Sequence, residues 1–98
     1  MQDRHCVADI QVVPQGPDRA TTYALIDRAI DVIEGSGLHY EVGAMSTTFE
    51  GDPAQVWEVL RQVHQAALSA GAPSQLTTIR LIESADGPTM NEKTGKFR

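Results

Sequence analysis

The stretch Gly43-Ala44-Met45-Ser46-Thr47-Thr48-Phe49-Glu50-Gly51-Asp52 constrains this chain more than any other. Gly43 closes the alternating run Leu38–Val42 and suits a turn that needs positive φ. From Met45 to Gly51 the side chains alternate between two faces if the segment is extended. Met45, Thr47 and Phe49 then point one way, and Ser46, Thr48 and Glu50 the other. Phe49 is the large apolar member, so its face is read as the buried one. Two hydroxyls and a carboxylate form a row on the opposite face. Serine and threonine are ordinary strand formers, and such a row is commonly a solvated surface; read for function, it is a polar floor for a ligand. Asp52-Pro53-Ala54-Gln55 supplies an N-cap, a proline at the first helical position and a partial capping box. One segment thus encodes a turn, a strand and the start of a helix.

The remaining elements follow from hydrophobic period. In His5–Val13, Cys6, Ala8, Ile10 and Val12 alternate with Val7, Asp9, Gln11 and Val13, and the first set is expected to face the core. Pro14-Gln15-Gly16-Pro17 ends that strand. A helix is predicted over about Ala20–Glu34, capped by Asp18, Thr21 or Thr22. Tyr23, Ile26, Ala29, Ile30 and Ile33 form its core stripe, and Leu25 and Val32 a surface line off it. Gly35-Ser36-Gly37 stops it. Leu38–Val42 is the second strand, with His39 and Glu41 outward, and His39 is read as solvated. Pro53–Ala70 is the second helix, with Val56, Val59, Leu60, Val63, Ala67 and Ala70 on its core stripe. Trp57 lies at the stripe's border, and His64 is read as a hydrogen-bonded surface residue. Leu76–Glu83 is the fourth strand, with Thr77, Ile79 and Leu81 inward and Thr78, Arg80 and Ile82 outward. Residues 89–98 read as a polar tail in which Met90–Lys93 forms one helical turn and Thr94–Arg98 frays. Ile10, Ile30, Phe49, Leu60 and Ile79 are the residues expected to be buried.

Ninety-eight residues with 41% hydrophobic content suit a single domain, residues 1–98, with a modest core filled mainly by aliphatic side chains. A net charge of −5 opposes binding to nucleic acid or anionic membrane, which need a basic surface. No apolar run approaches a bilayer-spanning length, and the polar start Met1–His5 is not a signal peptide, so a cytoplasmic location is expected. The lone cysteine, Cys6, excludes an internal disulfide and a cysteine-cluster zinc site, and is read as a small buried hydrophobe. No nucleophile–base pair or metal triad is evident, and His5, His39 and His64 lie on separate elements, so an enzyme, a metal and a cofactor are not expected.

Strand-helix-strand-strand-helix-strand is the ferredoxin-like βαββαβ order: an α+β sandwich with a four-stranded antiparallel sheet and two helices on one face. The expected strand order, 4-1-3-2, puts the first and third strands side by side in the middle. It gathers Asp9, Gln11, Ser46, Thr48, Glu50 and Arg80 on the helix-free face. Carboxylate, amide, hydroxyl and guanidinium groups together suit a small polar heterocycle. Val7, Val13 and Ile82 on the same face suggest that part of it meets another subunit.

Ala8-Asp9-Ile10-Gln11-Val12-Val13-Pro14, then Ile26-Asp27-Arg28-Ala29-Ile30 through Ser36-Gly37-Leu38-His39-Tyr40, then the opening stretch, together resemble the small thiamine-binding, YkoF-like family over about residues 6–83. The resemblance implies a ferredoxin-like subunit that pairs sheet edges and faces into homodimers or homotetramers. It also implies binding of thiamine or its hydroxymethylpyrimidine moiety without catalysis. The tail Thr94–Arg98 is shorter and more polar than the family's helical end. On that reading Glu50 takes the exocyclic amine of the pyrimidine, with Ser46, Thr48 and Gln11 alongside, Asp9 near the thiazolium, and a neighbouring subunit completing the site. The competing readings are a ferredoxin-like regulatory module binding another small metabolite, and an assembly protein without ligand.

Overall fold

The computed structural model describes residues 4–98; the polar start Met1–Asp3 lies outside them. Strand β1 spans His5–Pro14, helix α1 Arg19–Gly35, β2 His39–Val42, β3 Thr47–Gly51, α2 Pro53–Ser69 and β4 Gln75–Ser84. A short helix α3, Met90–Thr94, runs into a 3₁₀ turn at Gly95–Phe97. The sheet is antiparallel throughout, in the order β2-β3-β1-β4. The fold is the ferredoxin-like α+β arrangement, with α1 and α2 packed on one face.

Local chemistry sets the helix ends: Asp52 caps α2 as read from the sequence, and of the three candidates for α1, Asp18, Thr21 and Thr22, it is Asp18 that caps. Asp18 caps α1 by accepting from the Thr21 N–H at 2.7 Å, and Asp52 caps α2 by accepting from the Gln55 N–H at 3.1 Å. Gly71, at φ 119°, ends α2: its N–H donates to the Leu68 carbonyl, and that of Ala72 reaches back to Ala67. The Gly43 turn works differently from the expectation. Gly43 does not have positive φ. Its N–H donates to the Ser46 carbonyl at 2.9 Å, and a Cβ there would sit 2.9 Å from that same oxygen, so close approach is what demands glycine.

The register bears out the faces of β1 and of the third strand from Thr47 onward, but Met45 and Ser46, read as the start of that strand, lie in the loop before it, and Met45 is exposed rather than on the buried face. Ala8 lies opposite Phe49, and Ile10 opposite both Thr47 and Ile79. Cys6, Ala8, Ile10, Phe49, Ile33, Val56, Leu60 and Val63 are at most 3% exposed and form one core between sheet and helices. Three readings of the helix faces are corrected. Leu25, expected at the surface, is buried against Ala67 and Ala72 in a small second cluster built by the Gly71 turn. Tyr23 is exposed and Ile30 half-buried, and both line a groove that α1 leaves open. Ala70 is exposed because it is the cap of α2 and not part of its stripe. Ile79 points to the helix side as read, yet is 41% exposed, since β4 is an edge strand that the helices do not fully cover. His64 is hydrogen-bonded, its Nδ1 2.7 Å from the Thr77 hydroxyl.

The tail departs most from expectation. Thr94–Arg98 does not fray; it continues α3 as the 3₁₀ turn, and Met90 is only 4% exposed. The Thr89 hydroxyl caps α3 by accepting from the Glu92 N–H at 3.2 Å. The segment lies across the sheet face that α1 and α2 leave open, tied to it by Glu50 and Glu41.

Candidate functional site

The helix-free face carries two polar groups, built from neighbouring strands in register. Asp9, Thr48 and Arg80 sit side by side on β1, β3 and β4. The Thr48 hydroxyl donates to Asp9 Oδ1 at 3.3 Å, and Arg80 donates to Oδ2 through Nε at 3.0 Å and Nη2 at 2.5 Å. Burial pushes the Asp9 carboxyl up. Hydrogen bonds from the Ser46 hydroxyl, Arg80 and Thr48, with the Arg80 charge, outweigh it and hold the pKa below the ordinary value. An ionised carboxylate only accepts, so the Thr48 proton is committed to Asp9 and its lone pairs are left to face outward.

The second group centres on Glu50, which is 8% exposed. Oε1 receives His5 Nε2 at 2.8 Å and the Met90 N–H at 3.0 Å, and Oε2 receives His39 Nδ1 at 2.5 Å. Burial again pushes this carboxyl up, but the bonds from His39, the Met90 amide and His5 more than offset it, and the pKa is lowered. His39, read as solvated, keeps an exposed ring but spends one nitrogen on Glu50. The sequence reading missed this convergence although the signal was present. His39 and Glu50 were both read as outward on adjacent strands, and the observed register sets them directly opposite each other, with His5 on the same face of the next strand. Met90 carries no such signal, because its position depends on where the tail folds.

Of the six residues singled out from sequence, Asp9, Thr48 and Arg80 form one bonded group with Ser46 beside it. Glu50 is engaged by the histidines and the tail, and Gln11 borders the groove on the other side of the hairpin. Two cavities share the hairpin loop Gly43–Ser46 as a wall. One, of about 340 Å³, is the largely apolar groove between α1 and the hairpin, lined by Tyr23, Ile26, Ile30, Val42 and Met45. The other, of about 380 Å³, lies on the helix-free face. Ser46 and Thr48 are on its floor, and Met90, Lys93, Thr94 and Arg98 come from the segment above. Arg98 is ion-paired to Glu41 at the rim. This roof belongs to the chain's own tail, where a neighbouring subunit was expected to be needed.

Among the described residues, no group of three histidine, cysteine, aspartate or glutamate side chains is arranged to hold a metal ion, and no helix is long and apolar enough to cross a membrane. Cys6 is buried, and burial together with the Glu83 carboxylate pushes its thiol up, away from the reactive thiolate.

Residues 8–98 match the model of a family described as thiamine-binding protein. A UPF0045 protein of Clostridium perfringens is 31% identical over 93 residues, covering 95% of this chain and 97% of its own. A Bacillus cereus structure described as a domain of unknown function superposes with a TM-score of 0.89 at 36% identity, over 98% of this chain and 92% of its own. A Thermotoga maritima structure, whose given name proposes a part in thiamine biosynthesis/salvage, superposes with a TM-score of 0.85 at 30% identity, over 96% of this chain and 99% of its own.

Proposed function

This chain belongs to the thiamine-binding protein family, and from that premise we propose that it binds thiamine or its hydroxymethylpyrimidine moiety, as a non-catalytic cytoplasmic protein. The observation that carries the reading is the cavity of about 380 Å³ on the helix-free face, with Ser46 and Thr48 beneath it. A site of this kind holds a flat heterocycle by apolar walls and fixes its orientation with a few polar groups. Met45, Val7 and Met90 supply the apolar walls. Because Ser46 and Thr48 direct their protons at Asp9, their free lone pairs accept from an exocyclic amine. Glu50 acts through the roof: it holds the Met90 amide and so keeps the tail over the ligand.

Isothermal titration tests the reading. The protein is expected to give heat with thiamine or hydroxymethylpyrimidine, and Thr48→Val, which keeps the shape but removes the acceptor, is expected to bind about tenfold more weakly. No heat with either compound rules out the ligand. Undiminished binding by Thr48→Val moves the site elsewhere. A thermal-shift screen in which another metabolite alone stabilises the protein would favour a regulatory module instead.

The protein is further proposed to be a homo-oligomer, at least a dimer. Strand β4 is a long edge strand that exposes Leu76, Ile79 and Ile82, the kind of edge that a second copy covers. Light scattering that returns the chain mass of 10.6 kDa at micromolar concentration would overturn this.

A further inference from the structure

The charges around the helix-free-face cavity run against those of the whole chain. The protein carries a net −5. Yet the ionised side chains lining this cavity are Lys93, Arg98 and Glu41, two positive and one negative. Arg98 and Glu41 pair with each other. Lys93 is an exposed residue that lines the cavity, and it takes part in none of the ion pairs found among the described residues. The cavity is therefore polarised from floor to roof. Its floor offers lone pairs from Ser46 and Thr48, backed by the Asp9 carboxylate, and its roof offers an ammonium. A ligand that satisfies both ends carries an N–H donor at one end and an anion at the other. Free thiamine meets only the first demand, because its thiazolium is cationic and it offers no anion to Lys93. Hydroxymethylpyrimidine is neutral and leaves Lys93 without a partner.

From this juxtaposition we infer that the ligand is a phosphomonoester of the aminopyrimidine class, with Lys93 as the phosphate-binding residue and Arg98 in support. The inference rests on the proposed binding function and adds the chemical form of the ligand. A lysine ammonium is a compact point charge suited to a phosphate oxygen, and its position on a short, solvent-facing helix makes the attraction sensitive to salt. Phosphorylation of either source compound creates the required anion, at the hydroxyethyl side chain of thiamine or at the hydroxymethyl group of the pyrimidine.

The test is isothermal titration of the full chain with four compounds: thiamine, thiamine monophosphate, hydroxymethylpyrimidine and hydroxymethylpyrimidine phosphate. At low salt, at least one phosphate ester is expected to bind about tenfold more tightly than its parent alcohol, a preference that shrinks as salt is raised. Lys93→Gln is expected to erase that preference, and Lys93→Arg to restore it. A thermal melt of each variant checks that it is folded. If the alcohols bind and their esters bind no better, the inference fails and the family-based reading stands. A preference that survives in Lys93→Gln removes the assignment to Lys93. If none of the four compounds binds, both fail together.

Discussion

Phe49 and Glu50 are neighbours on β3 and both are nearly inaccessible, at 0% and 8% exposed, for opposite reasons. Phe49 faces the helices and is buried among Ala8, Ile33, Val56 and other apolar groups, where the gain is non-directional and scales with area removed from water. Glu50 faces the other way and is covered by a five-residue helix that it holds through the Met90 amide, while His5 and His39 make the other two directional bonds to its carboxylate. The helix side is a packed interior that fixes the fold. The other side is a thin layer held by a few polar contacts over a cavity. Near-equal burial therefore does not mean equal contribution: the first face carries most of the apolar packing, and the second sets whether the cavity is roofed.

The largest loss is expected for Phe49→Ala. Removing a fully buried phenylalanine is expected to cost about 3–5 kcal/mol, from lost transfer energy and the cavity left behind. Denaturant melts that show a loss below about 1 kcal/mol would mean that this face is not the packed one. Glu50→Gln should be smaller, about 1–2 kcal/mol, because it keeps the shape and one acceptor but loses the charge-assisted bonds. Its signature is local: hydrogen exchange at the Met90 amide should accelerate more than exchange in β1. Equal acceleration at both sites would show that the roof and the core are a single cooperative unit.

Acid sharpens the same contrast. The Glu50 carboxyl is held below its ordinary value of 4.5, so its contribution is fully present above that pH and is lost as pH falls through the lower folded value. Asp9 titrates in the same sense from 3.8, so the diagnostic is a difference between proteins. Below pH 4.5, Met90 protection should fall more steeply in the wild type than in Glu50→Gln. Parallel curves would dismiss Glu50 as the holding group. The smallest effect is expected for Arg98→Gln, which breaks an ion pair whose side chains are 58% and 42% exposed. Such a pair contributes less than about 0.5 kcal/mol, and a larger loss in a melt would mean that the roof is anchored at its far end after all.

Sequence alone determined what depends on near neighbours along the chain. Alternation assigned the faces of β1 and β3 because successive strand side chains must point to opposite sides, and Asp18 and Asp52 capped their helices because a cap acts within three residues. The βαββαβ order then left few topologies, and the observed strand order is among them. Thr48 and Glu50 were legible for the same reason, whereas Ser46, read in the same row, lies in the loop before β3. Tertiary structure decided how far each face was covered. Periodicity gives the phase of a helix or strand but not the reach of what packs on it, so Tyr23 and Ile79 stayed open while Leu25 was enclosed by the turn after α2. It also decided what became of Glu50. The bond from the Met90 amide joins residues 40 apart in sequence. No local pattern specifies such a contact, because it depends on the path by which the tail crosses the sheet.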